Sequence, residues 1–166
     1  AASMPKVKLN VRKGESYTVR NLLFSLMLES HNDSAVVLAE PLGRRYLSEE
    51  AGNKPVSEYS IEESKQAVAA FAALMNEKAK ELGCTNSVFL TPNGLDATQT
   101  IVADNGEEVT REHCTTATEL ARIMSYCIML SPQRDLFREI TRTQSYSFSE
   151  NNRDYLCYNP NHFLTM

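Results

Sequence analysis

Apolar and polar residues change period several times along the chain, and each change marks an element. Val7, Leu9 and Val11 alternate with Lys8, Asn10 and Arg12, the two-residue period of a half-exposed strand. Lys13-Gly14-Glu15 reads as a turn, and residues 17–19 as a short extended return. From about Arg20 the period becomes helical. Leu22, Leu23, Leu26, Met27 and then Ser30 fall on one face, which predicts Ser30 at the inner end of a buried stripe. Asn32-Asp33 breaks this helix, residues 35–39 begin another, and Pro41 and Gly43 are expected to end it. Residues 44–59 are polar, hold Gly52 and Pro55, and read as a surface excursion.

Ser60-Ile61-Glu62-Glu63 is a capping-box signature, in which serine and glutamate satisfy each other's free backbone donors. The helix it opens carries Val68, Phe71, Met75, Ala79 and Leu82 on one stripe, and Gly83 suits its C-terminal cap. Residues 88–90 read as a short strand, 92–96 as a turn, and 97–113 as a polar loop. Thr116 with Glu119 caps a further helix, with Leu120, Ile123, Met124, Cys127 and Ile128 as its expected core stripe. Ser131-Pro132 stops it and starts a short helix through Leu136, Phe137 and Ile140. Residues 141–149 alternate around Tyr146 and Phe148, as a strand does. The pattern predicts one mixed α/β domain, mostly helical in its middle.

Composition narrows the class. The 166 residues are 42% apolar and 23% charged, ordinary for a globular protein with a real core. Net charge is −4, and no basic cluster is interleaved with aromatics, which argues against a nucleic-acid partner. No apolar run approaches the length of a membrane span, so any membrane anchoring is expected from segments outside this chain. Residues 1–8 lack the apolar core of a signal peptide. Cys84, Cys114, Cys127 and Cys157 lie too far apart for a zinc or redox motif; their even count permits disulfides, but Cys127 on an apolar face favours free thiols. The chain starts inside a strand-like segment and stops at Phe163-Leu164-Thr165-Met166 without a terminating signal, which predicts an internal piece.

The candidate chemistry centres on Ser30-His31-Asn32-Asp33. One reading is a plain helix-to-helix corner. Ser30 with Asp33 can be read as a capping box, and Asn32 or Asp33 can cap the second helix. Yet a polar triplet at the end of a buried stripe is unusual, because buried hydroxyl and amide groups without partners cost roughly 1–3 kcal/mol each.

Ser-X-Asn at a helix corner, followed by Asp-X-Ala, resembles the second motif of the serine-type D-alanyl-D-alanine carboxypeptidases of the penicillin-binding protein class. Four further segments resemble that family in order: Phe71-Ala72-Ala73-Leu74-Met75-Asn76; Thr91-Pro92-Asn93-Gly94-Leu95-Asp96; Thr115-Thr116-Ala117-Thr118-Glu119-Leu120-Ala121; and Asn159-Pro160-Asn161-His162-Phe163-Leu164. The resemblance implies a β-lactamase/transpeptidase-like fold, α/β in the mixed α+β sense. This chain would be a single partial peptidase domain, 1–166, supplying mainly the helical subdomain and edge strands. It also implies an acyl-enzyme mechanism without metal or cofactor. A serine in Ser-X-X-Lys attacks the carbonyl between two D-alanines, with the lysine as base, and backbone amides hold the oxyanion. Carried over by motif, Ser30 relays protons and Asn32 holds the substrate backbone; a hydroxyl and an amide can each donate and accept. Asn161 would brace the site from behind. The middle position is free in the family, so His31 is given no role and is expected to face the cleft mouth or solvent.

Ser3-Met4-Pro5-Lys6 fits Ser-X-X-Lys literally but is a decoy: serine and lysine must share one helical face, and Pro5 is poorly placed inside such a turn. The attacking serine is expected upstream, and the Lys-Thr-Gly motif shortly after Met166. The isolated chain is therefore expected to be inactive. The implied partners are peptidoglycan stem peptides ending in D-Ala-D-Ala and β-lactam antibiotics as inhibitors, outside the cytoplasmic membrane. Two alternatives stay open: a serine β-lactamase of the same fold, and a non-catalytic wall-binding homologue. His113 beside Cys114 reads as a loop position, and Asp104, Glu107, Glu108 and Glu112 as a solvated acidic loop.

Overall fold

Thr18 begins the first helix by turning its hydroxyl onto the Asn21 amide at 3.3 Å, and α1 runs Val19–Glu29. The computed structural model describes residues 7–48, 53–161 and 164. These fall into two compact units, Ala1–Leu38 with Cys127–Met166, and Ala39–Tyr126.

In the first unit α1 packs against a helix and both strands of a hairpin. That contact on several sides widens the buried arc of α1. Leu22, Phe24, Ser25 and Leu28 are buried, whereas Leu23, Leu26 and Met27 are half-buried and Ser30 is exposed. The predicted stripe is thus rotated, and Ser30 does not end inside it. The remaining elements of this unit that contact α1 lie late in the chain. Arg134–Arg142 forms a helix (numbered α5 below in chain order), β3 is Ser145–Glu150 and β4 is Arg153–Tyr158. The strands are antiparallel, from Ser145 opposite Tyr158 to Glu150 opposite Arg153. Asn151 and Asn152 both have positive φ, 53° and 56°. That is the requirement of a two-residue hairpin turn of the twisted type, which asparagine tolerates. The predicted strand over 141–149 starts later, because 141 and 142 end the helix; its partner β4 was not foreseen. Leu9, Leu22, Phe24, Leu28, Ile140, Phe148 and Cys157 make the core. Tyr146 stacks on Phe24 at 3.8 Å between centroids, and Phe148 on Tyr155 at 4.7 Å.

The alternating segment 7–11 does not join a sheet. Val7 and Asn10 have φ of 51° and 65°, which breaks the extended run. The amides of Leu9 and Val11, which a strand partner would have taken, go to a carboxylate instead.

The second helix, α2, spans Asn32–Leu47; its start belongs to the first unit and its remainder to the second. It passes through Pro41 and Gly43, which were expected to end it. Proline inside a helix forfeits one hydrogen bond. Gly43 is there for packing: a Cβ on it would lie 1.8 Å from the Ala67 carbonyl oxygen. Ala67 belongs to α3, Ile61–Glu81, whose fully buried residues are Ala67, Ala70, Ala72 and Ala79, while the larger Val68, Phe71 and Met75 are half-buried. Small residues let the two backbones meet. The capping box forms as predicted, with Ser60 Oγ accepting the Glu63 amide at 3.1 Å and Glu63 accepting the Ser60 amide at 2.8 Å.

Residues 97–113 are not a loop. β1 (Thr98–Val102) pairs antiparallel with β2 (Glu108–Glu112), Thr98 opposite Glu112 and Val102 opposite Glu108. All ten positions but Ile101 are exposed, so neither face imposes the alternation that marks a strand in sequence. Residues 88–90 make a single bridge, Val88 to Cys114, rather than a strand. α4 is Ala117–Ser125, capped by Thr116, and continues as one wider turn over Tyr126–Leu130 before α5. Its expected core stripe is open here: Leu120 is 51% exposed and Met124 40%. The buried residue of α4 is Glu119, whose carboxylate takes the Asn86 amide at 2.9 Å and the Ser87 hydroxyl at 2.5 Å. All four cysteines are free thiols.

Gly43→Ala is expected to destabilise the protein by about 1–3 kcal/mol, since backbone rather than a movable side chain stands in the way; urea unfolding reads this directly. Acid is expected to weaken the second unit. Hydrogen bonds from Lys54 and then Ser60 pull Glu63 down to about 2, and those from Ser87 and Asn86 hold Glu119 below the usual 4.5. A carboxyl depressed in the folded state stabilises fully above its unfolded pKa. The stability is therefore retained down to about pH 4.5 and lost as pH falls from there toward about 2. Thermal midpoints across that range should fall for the native protein and fall less for Glu63→Gln.

Candidate active site

The sequence predicts a site at the junction of α1 and α2, and the local geometry there is unusual. α1 ends on Ser30, whose φ of 57° and ψ of 35° are left-handed helical. Glycine is the common residue at such a cap, and a residue with a Cβ costs roughly 1–2 kcal/mol there. Two residues later α2 starts at Asn32. The left-handed residue is what lets the chain leave one helix and enter the next so abruptly, and it leaves Ser30 exposed on the apex with Asn32 half-buried beside it.

The corner persists because the groups around it are over-determined. Asp33, 1% exposed, accepts the Leu9 amide at 2.9 Å on one oxygen and the Val11 amide at 3.0 Å on the other. It also accepts the Ser34 amide at 3.1 Å, at the start of its own helix. The Asn32 amide donates to the Val7 carbonyl at 3.1 Å. These bonds tie the start of α2 to the segment 7–11. A second set ties it to α1. Ser25 Oγ lies 2.7 Å from His31 Nδ1 and 2.8 Å from Ser34 Oγ, and both serines are fully buried. His31 was expected to face the cleft mouth or solvent; it is half-buried and bonded to Ser25. Burial lowers its pKa against the opposing charges of Asp33 and Glu29, which keeps the ring neutral at physiological pH. His31 also lines an open groove of about 360 Å³ with Lys8, Asn10 and Arg153.

Ser30 and Asn32 thus flank His31 at the corner, where Asp33 bonds the segment 7–11 and Ser25 bonds His31 and Ser34. A clue to the serines was present in the sequence: Ser25 interrupts the apolar run from Leu22 to Leu28. Asn161 is exposed, following β4, and its amide donates to Asn159 Oδ1 at 3.0 Å. Asn159 donates to the Thr141 and Thr143 carbonyls at 3.1 and 3.0 Å. The Ser3–Lys6 decoy and His162-Phe163 of the last resembling segment lie outside the described residues. His113 lies, as expected, in the connection before the Thr116 cap, where its Nδ1 accepts the Leu90 amide at 3.0 Å. Cys157 is 1% exposed, and burial first, with the Glu29 charge, raises its thiol to about 11, so it stays protonated and unreactive.

A family model described as D-alanyl-D-alanine carboxypeptidase matches residues 62–166. The chain is 30% identical over 156 residues to D-alanyl-D-alanine carboxypeptidase DacB2 of Mycobacterium tuberculosis, covering 94% of this chain and 40% of the relative. It is 34% identical over 95 residues to D-alanyl-D-alanine carboxypeptidase DacF of Bacillus subtilis, covering 57% of this chain and 19% of that one. A crystal structure of a D-alanyl-D-alanine carboxypeptidase from M. tuberculosis matches with a TM-score of 0.62 at 28% identity, over 98% of this chain and 47% of that one. A variant of a Streptomyces DD-transpeptidase matches in fold with a TM-score of 0.63 at 24% identity, over 96% and 50%. The chain therefore spans about half or less of the relatives it matches, and its mixed helix-and-strand fold is theirs.

Asp33→Ala is expected to cost about 2–4 kcal/mol, because it leaves the buried Leu9 amide and the Val11 amide without their acceptor. Hydrogen exchange should report it locally, with protection lost first at Leu9 and Val11.

Proposed function

Because this chain belongs to the D-alanyl-D-alanine carboxypeptidase family, we propose that the protein containing it removes the terminal D-alanine from peptidoglycan stem peptides through an acyl-enzyme. The observation that supports this most is the corner: an exposed hydroxyl at the apex, Ser30, with the amide-bearing Asn32 two residues on, both set on a buried hydrogen-bonded base. In the proposed reaction a serine of a Ser-X-X-Lys motif elsewhere in the protein attacks the carbonyl between the two D-alanines. Its proton passes to the lysine. Backbone amides hold the oxyanion. Ser30 relays the proton from the base to the departing amine of D-alanine, a task for a group that accepts and donates at once. The Asn32 amide receives the substrate backbone and steadies the lysine. Water then attacks the acyl-enzyme and releases the shortened peptide. Asn161 supports the region from behind.

The sites of action follow from the substrate: the outer face of the cytoplasmic membrane or beyond it. No helix among the described residues is long and apolar enough to cross a membrane. β-Lactams, which mimic the D-Ala-D-Ala bond, are the expected covalent inhibitors.

The test is acylation by a fluorescent penicillin together with turnover of a D-Ala-D-Ala peptide. The full-length protein should be labelled and should release D-alanine. Ser30→Ala and Asn32→Ala should each slow acylation by a factor of about 10² or more, with folding intact by circular dichroism. The 166-residue chain by itself should not be labelled. Fast penicillin hydrolysis with no release of D-alanine would identify a β-lactamase, and no labelling of the full-length protein would leave a wall-binding role.

A further inference from the structure

His31 is the one member of Ser30-His31-Asn32 to which the proposed reaction gives no task, yet its side chain is tethered. Its Nδ1 meets Ser25 Oγ at 2.7 Å, and Ser25 Oγ meets Ser34 Oγ at 2.8 Å. Ser25 lies on α1 and Ser34 on α2, and both are 0% exposed. Packing alone does not call for hydroxyls at two fully buried positions. Alanine fills nearly the same space and needs no partner, whereas an unpartnered buried hydroxyl is destabilising. The pair is satisfied because each has the other, and because the row continues to an imidazole. That imidazole is its only member that is not fully buried.

The row adds a side-chain hold to a corner whose backbone is already bonded, the His31 carbonyl accepting the Ala35 amide at 3.4 Å. Asp33 and the Asn32 amide tie α2 to the segment 7–11, and neither bond acts on residue 31. Ser30 adopts a left-handed conformation that serine does not favour, so it needs neighbours that hold it. A side chain anchored at residue 31 supplies that hold from the adjacent position. A hydroxyl can donate or accept, so the inward bond at Nδ1 fixes the plane of the ring whichever nitrogen carries the proton.

We propose that His31 is a positioning residue of this corner: the buried Ser25–Ser34 hydroxyl pair seats its Nδ1, and the seated ring holds Ser30 and Asn32 in the orientation that acylation requires. The effect on acylation rests on the carboxypeptidase reading; the seating of the ring does not.

The experiment uses the full-length protein. Asparagine places a polar atom where Nδ1 of histidine lies, and glutamine does not. His31→Gln and Ser25→Ala should slow acylation by a fluorescent penicillin about tenfold or more, as small misplacements at a reacting centre do. His31→Asn should restore most of the rate lost in His31→Gln. Thermal midpoints, measured alongside, should not rank the variants in the same order. In nitrogen-15 spectra the His31 Nδ1 resonance should move in Ser25→Ala, which removes the hydroxyl that bonds it in the native protein. Native-like acylation by His31→Gln overturns the proposal. So do rates that track thermal midpoints alone, or ring shifts indifferent to Ser25→Ala. If the native protein is not acylated at all, the proposed function fails, and the nitrogen-15 comparison still decides whether the ring is seated.

Discussion

One buried carboxylate carries much of the first unit. Asp33 gathers amides from Leu9, Val11 and Ser34, and so does three jobs with one side chain. It replaces the strand partner that the segment 7–11 lacks. It starts α2 with a negative charge where helix amides are free. And it fixes the far side of the turn on which Ser30 stands. A charge this deep is tolerable only because every oxygen is spent on a donor. The arrangement therefore ties local secondary structure and candidate chemistry to one residue, and neither can vary without the other.

The second unit is held by different means. Where α2 and α3 meet, the contact depends on what is missing: Gly43 carries no side chain and lies against the Ala67 carbonyl and the Phe71 amide. Polar pairs stand beside this contact, with Ser64 of α3 donating to the buried Glu40 of α2 and Arg44 lying 3.5 Å from Glu63. Glu63 closes the start of α3 and takes both Lys54 and the Ser60 amide. Glu119 does the same between α4 and the residues 86–87. His113 and Asn76 secure the chain between them, Asn76 by accepting the Phe89 amide at 2.8 Å and donating to its carbonyl at 2.7 Å. Carboxylates and amides are used here as clips for loops, and their depressed pKa values follow from that use.

Much of this was legible in the residues. The capping box at Ser60 and the Thr116 hydroxyl cap form as spelled, because capping needs only neighbours within four residues, while the Glu119 carboxylate goes to residues 86–87 and does not close a second box. Gly83 adopts the positive φ of 74° that its place after α3 predicts. The family resemblance, read from five ordered segments, agrees with the matched family and fold. The misreadings share a cause. Pro41 and Gly43 looked like stops because sequence shows their local cost and not the helix packed against them. Residues 97–113 looked like a loop because a hairpin with two open faces carries no alternation. Residues 7–11 looked like a strand because alternation does not say what will accept the amides.

By itself the sequence determined the elements with short-range causes and the family to which the chain belongs. It also marked Ser30 and Asn32 as the residues to watch. Only the tertiary structure decided what stands behind them. Ser25 of α1, Ser34 of α2 and His31 of the corner between them come together, and Asp33 meets amides more than twenty residues away. Such pairings depend on how the chain is brought back on itself. Residue type and spacing record that a serine is polar and that a histidine sits in the middle of a motif. They do not record that the one has been buried to hold the other.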